Sequence, residues 1–131
     1  MKKPNILLVM TDQHCRDALG CYGNRVVETP NLDWLASEGT LFTNAYSCTP
    51  SCIPIRASLL TGMDPWNTGI LGSGRGQGRM GLGFEHTMPG ELAKAGYHTQ
   101  GVGKMNFHPL RALNGFHRTV LDESDRVATP G

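Results

Sequence analysis

Residues 48–62, CTPSCIPIRASLLTG, combine groups that could carry out chemistry at the start of a helix. Pro54 lies where a helix would begin, and Gly62 is suited to end it. Cys52 would lie at or just before the first turn, where unpaired N–H groups and the helix dipole stabilise a thiolate or bind an oxyanion. Arg56 follows four residues later and shares a face with Cys52 if the helix starts early enough. A guanidinium there suits a sulfate or phosphate ester, although the chemistry alone favours a buried cysteine and a surface arginine.

Two oxygen-bearing side chains follow the first apolar run of the chain. Residues 5–10 read NILLVM, which predicts a strand buried on both faces. Asp12 and Gln13 come directly after it. Ligands of open α/β sheets bind beyond the carboxyl ends of the strands, and a carboxylate with an amide oxygen suits a hard cation. Both residues are therefore candidate metal ligands, with a capped loop as the structural alternative.

A third candidate group lies in residues 96–109, GYHTQGVGKMNFHP. Residues 97–102 predict a strand, and Lys104 follows it through a glycine. An ammonium at the end of a strand could hold an anion as a point charge. Asn106 and His108 come two and four residues later, close enough to add polar contacts. A solvated loop lysine is the simpler alternative for this position.

The elements that must position these residues alternate along the chain. Helices are predicted between Thr29 and Gly39 and between Thr87 and Gly96, because each begins with a capping threonine near a proline and ends at a glycine. Residues 40–46 predict a further strand. Together with the elements described above, this order predicts an α/β fold, a mostly parallel sheet flanked by helices.

The bulk composition is that of one soluble globular domain. The chain has 131 residues with a net charge of +1, and 39% of them are hydrophobic and 18% charged. The weak charge gives no reason to expect a nucleic-acid partner, and no apolar run approaches the roughly 20 residues of a membrane span. We therefore expect no nucleic-acid or membrane partner and a cytoplasmic location. The four cysteines form no C-x-x-C pair, which argues against a thiol redox protein.

Residues 69–83 contain seven glycines and predict a loop. They include a formal G-x-G-x-x-G at Gly76, Gly78 and Gly81. No predicted strand leads into this motif and no predicted helix directly follows it, so the context of a dinucleotide site is missing. A surface loop is the better interpretation.

The ordered motifs of the chain resemble the sulfatase family of the alkaline phosphatase-like superfamily. Cys52, Pro54 and Arg56 match the C-x-P-x-R signature of that family. Cys48 is excluded by register, because the residue four positions after it is a cysteine rather than an arginine. The resemblance runs in order over nearly the whole chain, which is more specific than any single motif. The other matching segments are PNILLVMTDQ, LGCYGN, TPNLDWLASEGTLFTNAYS, GYHTQGVGK and the pair Gly115-Phe116.

The resemblance implies a sulfuric ester hydrolase, arylsulfatase-like, that acts through a modified cysteine. In this family a separate formylglycine-generating enzyme oxidises the signature cysteine to formylglycine. One hydroxyl of the hydrated aldehyde attacks the sulfur of a small sulfate ester, and the second later expels sulfate. A divalent metal activates the oxygen nucleophile and neutralises the ester. We expect Ca²⁺, with Mn²⁺ or Mg²⁺ as alternatives, because oxygen ligands suit all three.

The family roles carry over to named positions of this chain. Cys52 is the precursor of the nucleophile and, once modified, a metal ligand. Asp12 and Gln13 are the other metal ligands of this chain. Arg56 steadies the formylglycine, and Lys104 binds the sulfate group. The resemblance thus assigns catalytic roles to Cys52, Arg56 and Lys104.

Three positions depart from the family pattern. Gln13 stands where many relatives have a second aspartate, and Met63 where an arginine is common. Asn106 stands where relatives usually have a histidine, and His108 is the nearby candidate to replace it. Asn106 and His108 are kept with Lys104 as substrate-binding candidates. A phosphonate monoester or phosphodiester hydrolase of the same superfamily stays an alternative, as does an inactive fragment or pseudoenzyme that only binds anions.

The length of the chain sets a further expectation. Sulfatases run to several hundred residues, so the resemblance implies that residues 1–131 are the N-terminal portion of a single catalytic domain. The remaining metal ligands and substrate contacts of the family would then lie elsewhere in the protein. A hard cation takes six or more oxygen ligands. We therefore expect that the 131 residues alone bind metal poorly and are inactive.

Overall fold

The computed structural model describes residues 3–72, 83–107 and 111–122. The chain divides into two units, Met1–Tyr46 and Ser47–Gly131. No helix in the described ranges is long and apolar enough to cross a membrane. The helices and strands are α1 (Pro30–Glu38), α2 (Cys52–Thr61), α3 (Pro65–Thr68), α4 (Met88–Lys94), β1 (Gln100–Gly103) and β2 (Arg118–Leu121), preceded by short 3-10 helices at Arg16–Ala18 and Gly20–Tyr22.

The first unit is organised around α1, which begins at a proline and ends before a glycine as the sequence predicts. The side chains of its first turn bind the second 3-10 helix. The Gly20 N–H donates to Thr29 Oγ1 at 2.8 Å, and the Cys21 N–H donates to Asp33 Oδ1 at 2.6 Å. Thr29 Oγ1 donates in turn to Asp33 Oδ1 at 3.0 Å. These hydrogen bonds connect α1 to the second 3-10 helix, and neither element has a buried residue.

The predicted first strand, residues 5–10, is wrong in this structure. These residues adopt no strand, and their side chains are exposed, for example Leu7 at 87% and Val9 at 77%. A strand is stabilised by backbone hydrogen bonds and side-chain contacts with a neighbouring strand rather than by its own residues. Apolar composition alone therefore does not produce one.

The predicted strand at residues 40–46 is wrong for the same reason, and its backbone is bound in another way. The Tyr22 hydroxyl donates to the Phe42 carbonyl at 2.8 Å, and Arg16 Nη1 donates to the Thr43 carbonyl at 2.6 Å. The Arg16 guanidinium also lies 5.2 Å from the centre of the Tyr22 ring. Side-chain donors thus bind carbonyls that a neighbouring strand would bind in a sheet.

The core of the second unit forms on α2. Ile53 and Ala57 are buried on this helix together with Ile70, and Cys52 and Phe84 pack against them. The helix begins two residues earlier than the sequence predicts and ends at a left-handed glycine as predicted. Burial of the Ile53 side chain contributes about 2 kcal/mol by apolar transfer. The packing fixes how α2 presents its first turn.

The two strands of the second unit pair in parallel. Gln100 lies opposite Arg118 and Gly103 opposite Leu121. The strand predicted at residues 97–102 therefore exists but begins later, and β2 was not predicted because its four residues carry no clear period. The predicted α/β class is retained in a two-stranded parallel sheet, whereas the larger sheet is not found among the described residues.

A close contact anchors α4 to the turn before β2. The Thr87 hydroxyl accepts a hydrogen bond from the Gly90 N–H at 3.2 Å and donates to the Asn114 carbonyl at 2.8 Å. Gly115 follows with a φ of +91°, and a Cβ at this position would lie 2.5 Å from the Gly90 nitrogen. Only glycine fits this approach, which agrees with the Gly-Phe pair noted in the sequence.

The glycine-rich loop predicted at residues 69–83 is described only at its ends. Gly69 ends α3 in the left-handed conformation, as a helix C-cap often does. Residues 73–82, which include the formal G-x-G-x-x-G, lie outside the described residues.

Candidate functional site

Cys52 is the first residue of α2, as its role at a helix N-terminus requires. Ser51 precedes it in an extended conformation (φ −90°, ψ 137°), and the Ser51 side chain makes no capping hydrogen bond. The first turn therefore receives no side-chain acceptor from its own N-cap residue, and Pro54 has no N–H to offer. The partly buried Cys52 lies at the positive end of a ten-residue helix dipole. An anion in contact with this turn would be stabilised.

Arg56 connects α2 to the segment that follows β1. It lies one turn after Cys52 within the same helix, so the two side chains share a face. Arg56 Nη1 donates to the Lys104 carbonyl at 2.5 Å, across 48 positions of sequence. A hydrogen bond from a charged donor is about twice as strong as a neutral one. The structure therefore joins the helix that carries Cys52 and Arg56 to the backbone of Lys104, a contact that the sequence did not predict.

The chain turns sharply on both sides of Lys104. Gly103 has a φ of +96° and Asn106 a φ of +55°. Phe107 then enters the interior, with 6% of its surface exposed, and its ring centre lies 6.2 Å from that of Phe116. Lys104 itself is half-buried. The segment from Gly103 to Phe107 is thus held at both ends while it presents the lysine.

The remaining substrate-binding candidates have different outcomes. Asn106 is close to Lys104 in sequence and is buried, with 4% of its surface exposed. His108 lies outside the described residues. Cys48, which the register argument excludes, is exposed and precedes α2. Sequence reasoning missed the left-handed conformation of Asn106, although asparagine is the non-glycine residue that most readily adopts it.

The candidate metal ligands Asp12 and Gln13 lie in the first unit. Both are exposed, and Gln13 has a φ of +53°. Their oxygens suit a hard cation, but two such side chains fall far short of six oxygen ligands. Within the described ranges, no group of three or more His, Cys, Asp and Glu side chains is arranged to hold a metal ion. The described residues therefore supply part of a donor set at most, and the ligand role of Asp12 and Gln13 stays a prediction.

The grouping in the second unit is suited to hold a tetrahedral anion beside a nucleophile. The N-terminus of α2 supplies partial positive charge, Arg56 supplies a full charge on the same helix, and Lys104 belongs to the segment whose backbone Arg56 binds. Cys52 lies at the same helix end and supplies a thiol. Acyl, phosphoryl and sulfuryl transfer all profit from fixed positive charge where the transition state accumulates negative charge.

The chain is similar to known proteins of one family. The model of the Sulfatase family matches residues 4–127. An arylsulfatase of Clostridium perfringens is 50% identical over 121 residues, which cover 92% of this chain and 24% of that protein. An N-acetylglucosamine-6-O-sulfatase of Bacteroides thetaiotaomicron is 36% identical over 121 residues, or 92% of this chain and 21% of that protein. An iduronate 2-sulfatase of Mus musculus is 43% identical over 105 residues, or 80% of this chain and 18% of that protein.

The chain thus spans less than a quarter of the length of these relatives. The matched region nevertheless contains every motif that resembles the family, from residue 4 to residue 116. Because the family model covers nearly the whole chain, no segment of comparable size is left that could belong to a second family. The chain belongs to the sulfatase family.

Proposed function

We propose that the whole protein, meaning the protein of which this chain is a part, hydrolyses sulfuric esters as an arylsulfatase does. The observation that carries the proposal is that Cys52 begins α2 and that Arg56, one turn later, donates a hydrogen bond to the Lys104 carbonyl. Membership of the sulfatase family and 50% identity to a protein named arylsulfatase support it. The residues that select one ester over another are not identified by this grouping.

Each of the three residues has a role that follows from its place. Cys52, once converted to formylglycine, presents its hydroxyl oxygen to the sulfur at a helix end that favours negative charge. Arg56 keeps a positive charge one turn away on the same helix. Lys104 binds the sulfuryl oxygens as a point charge, and its carbonyl bond to Arg56 keeps it near the helix. The transition state is thereby stabilised by charges that need no rearrangement.

The family uses a divalent metal, for which Asp12 and Gln13 would supply oxygen ligands together with the modified Cys52. Such a cation would lower the charge repulsion between ester and nucleophile. Ca²⁺ is the preferred candidate, and Mn²⁺ or Mg²⁺ remain alternatives. Because the described residues supply only part of a donor set, we propose that the 131 residues alone bind metal poorly and do not turn over.

The proposal is tested by the modification state of residue 52 and by activity together. The whole protein is co-expressed with a formylglycine-generating enzyme, and the peptide covering residues 48–62 is analysed by mass spectrometry. We expect an aldehyde at Cys52 and hydrolysis of 4-nitrophenyl sulfate. Cys52→Ala should lose both, whereas the matched control Cys48→Ala should retain both. Full activity in protein whose Cys52 is still a thiol would contradict the proposal.

The superfamily alternative is separated by substrate. The same preparation is assayed with 4-nitrophenyl sulfate, with a phenylphosphonate monoester and with bis(4-nitrophenyl) phosphate. We expect the highest kcat/KM for the sulfate. A higher value for either phosphorus ester would favour the phosphonate or phosphodiester hydrolase. Conversion of Cys52 without turnover of any of the three would favour the pseudoenzyme.

A further inference from the structure

We propose that Gly103 and Asn106 are positioning residues for Lys104, acting through their left-handed backbone conformation. The inference rests on the proposed function, in which Lys104 binds the sulfuryl group. It assigns to Asn106 a role in the path of the chain rather than the direct substrate contact that its place near Lys104 first suggested.

The space around Gly103 shows that its conformation, rather than its size, requires glycine. A Cβ placed there would meet no atom within 4 Å, yet the φ of Gly103 is +96°. An L-residue with a side chain rarely adopts this value, because its Cβ would come too close to the following carbonyl oxygen. Glycine at position 103 therefore serves the turn and not the packing.

Asn106, three residues later, also has a left-handed backbone conformation. Its φ is +55°, inside the left-handed region that asparagine tolerates better than other residues with side chains. Its side chain is buried, with 4% of the surface exposed, which leaves little of it to meet an incoming ester. The next residue, Phe107, is buried against Phe116. The left-handed residue thus turns the chain into the interior directly after the lysine.

The carbonyl that Arg56 binds, that of Lys104, lies between the two left-handed residues in the sequence. A peptide unit is planar, and its plane contains the Cα–C bond of the residue that supplies the carbonyl. A fixed orientation of the Lys104 carbonyl therefore also restricts the direction of the Lys104 Cα–C bond. The hydrogen bond from Arg56 Nη1 at 2.5 Å requires this carbonyl to face α2. Gly103 on one side and Asn106 on the other set the path that allows it. Loss of either conformation should therefore move Lys104 relative to the helix N-terminus.

The test compares substitutions in the whole protein that differ only in what the backbone can adopt. Asn106→Ala removes the side chain and disfavours a positive φ, whereas Asn106→Gly removes the side chain and permits it. We expect Asn106→Ala to raise KM for 4-nitrophenyl sulfate and Ki for inorganic sulfate by about tenfold to a hundredfold, the effect of a displacement of roughly 1 Å. Asn106→Gly should recover most of that loss.

Gly103→Ala has a matched control in Gly23→Ala. Gly23 has a φ of +98°, and a Cβ added there would also meet no atom within 4 Å, but this glycine lies in the first unit. Both substitutions should lower the thermal stability, and only Gly103→Ala should raise KM and Ki. A purely structural role would make the two variants alike in all measurements.

Several outcomes would overturn the inference. Equal losses of sulfate affinity in Asn106→Ala and Asn106→Gly would mean that the carboxamide itself contacts the anion. Unchanged affinity in Asn106→Ala would mean that position 106 has no role. Crystal structures of both variants decide the conformational part without any activity: the Arg56–Lys104 bond should be lost in the alanine variant and kept in the glycine variant. An inactive wild type with these structural results would instead refute the proposed function alone.

Discussion

Gly115→Ala should destabilise the second unit by more than its backbone conformation explains. A Cβ at Gly115 would overlap the Thr87 hydroxyl and lie 2.5 Å from the nitrogen and 2.7 Å from the Cα of Gly90. Two of these atoms belong to the backbone, so no side-chain rotation relieves the overlap. The positive φ of +91° adds about 1 kcal/mol. Overpacking adds about 2 kcal/mol, which gives a loss of about 3 kcal/mol in the free energy of unfolding.

The control is Gly62→Ala, which also has a positive φ, +70°, in the same unit but open space around the new methyl group. It should lose only the conformational part, about 1 kcal/mol. Urea unfolding followed by circular dichroism measures both variants against the wild type. A difference of about 2 kcal/mol between them would confirm that the Thr87–Gly90–Gly115 contact is tight in the folded protein. Equal losses would refute the close approach of α4 to the turn before β2.

Two further predictions concern caps and charges. Asp64→Ala should cost about 1 kcal/mol, because this side chain caps α3, whereas Ser51→Ala should cost little in unfolding experiments, because the Ser51 side chain makes no capping bond. Lys94 and then His86 lower the pKa of the Glu91 carboxyl below its ordinary value through hydrogen bonds. The stabilisation is therefore present above the unfolded-state pKa and is lost as the pH falls through the lower folded-state pKa. Glu91→Gln should remove this part of the acid dependence of the melting temperature, and an unchanged acid profile would contradict the assignment.

Helices were predictable from the sequence because their signals are local. The proline near the start of α1 and the glycine after it are adjacent in sequence to the residues they limit. The threonine at the start of α4 similarly precedes a proline, and its hydroxyl accepts from a backbone N–H of the first turn. At α2 the prediction placed the start too late, since Pro54 lies third rather than first. That difference matters, because the earlier start is what makes Cys52 helical.

Strands were less predictable because their stability depends on distant residues. Residues 5–10 have the composition of a buried strand, but composition cannot supply the neighbour that a ladder requires. β2 shows the opposite error: its four residues, RTVL, are too short to display a period, yet they pair with β1 across a connection of more than a dozen residues. In both cases, whether a strand forms depends on an interaction with residues outside the segment itself.

The candidate site was likewise predictable where its signals are local and not where they involve distant residues. Cys52 and Arg56 could be placed on one face from their spacing, because four residues are one helical turn. The bond from Arg56 to the Lys104 carbonyl spans 48 positions and leaves no periodic trace in the sequence. Its acceptor is a backbone carbonyl, so even the residue type at position 104 does not reveal it. What the sequence does contain is the means of presenting that carbonyl: Gly103 and Asn106, residues suited to left-handed backbone on either side. We expect a substitution that disfavours a positive φ, Gly103→Ala or Asn106→Ala, to leave the C-x-P-x-R motif intact and still separate its arginine from Lys104.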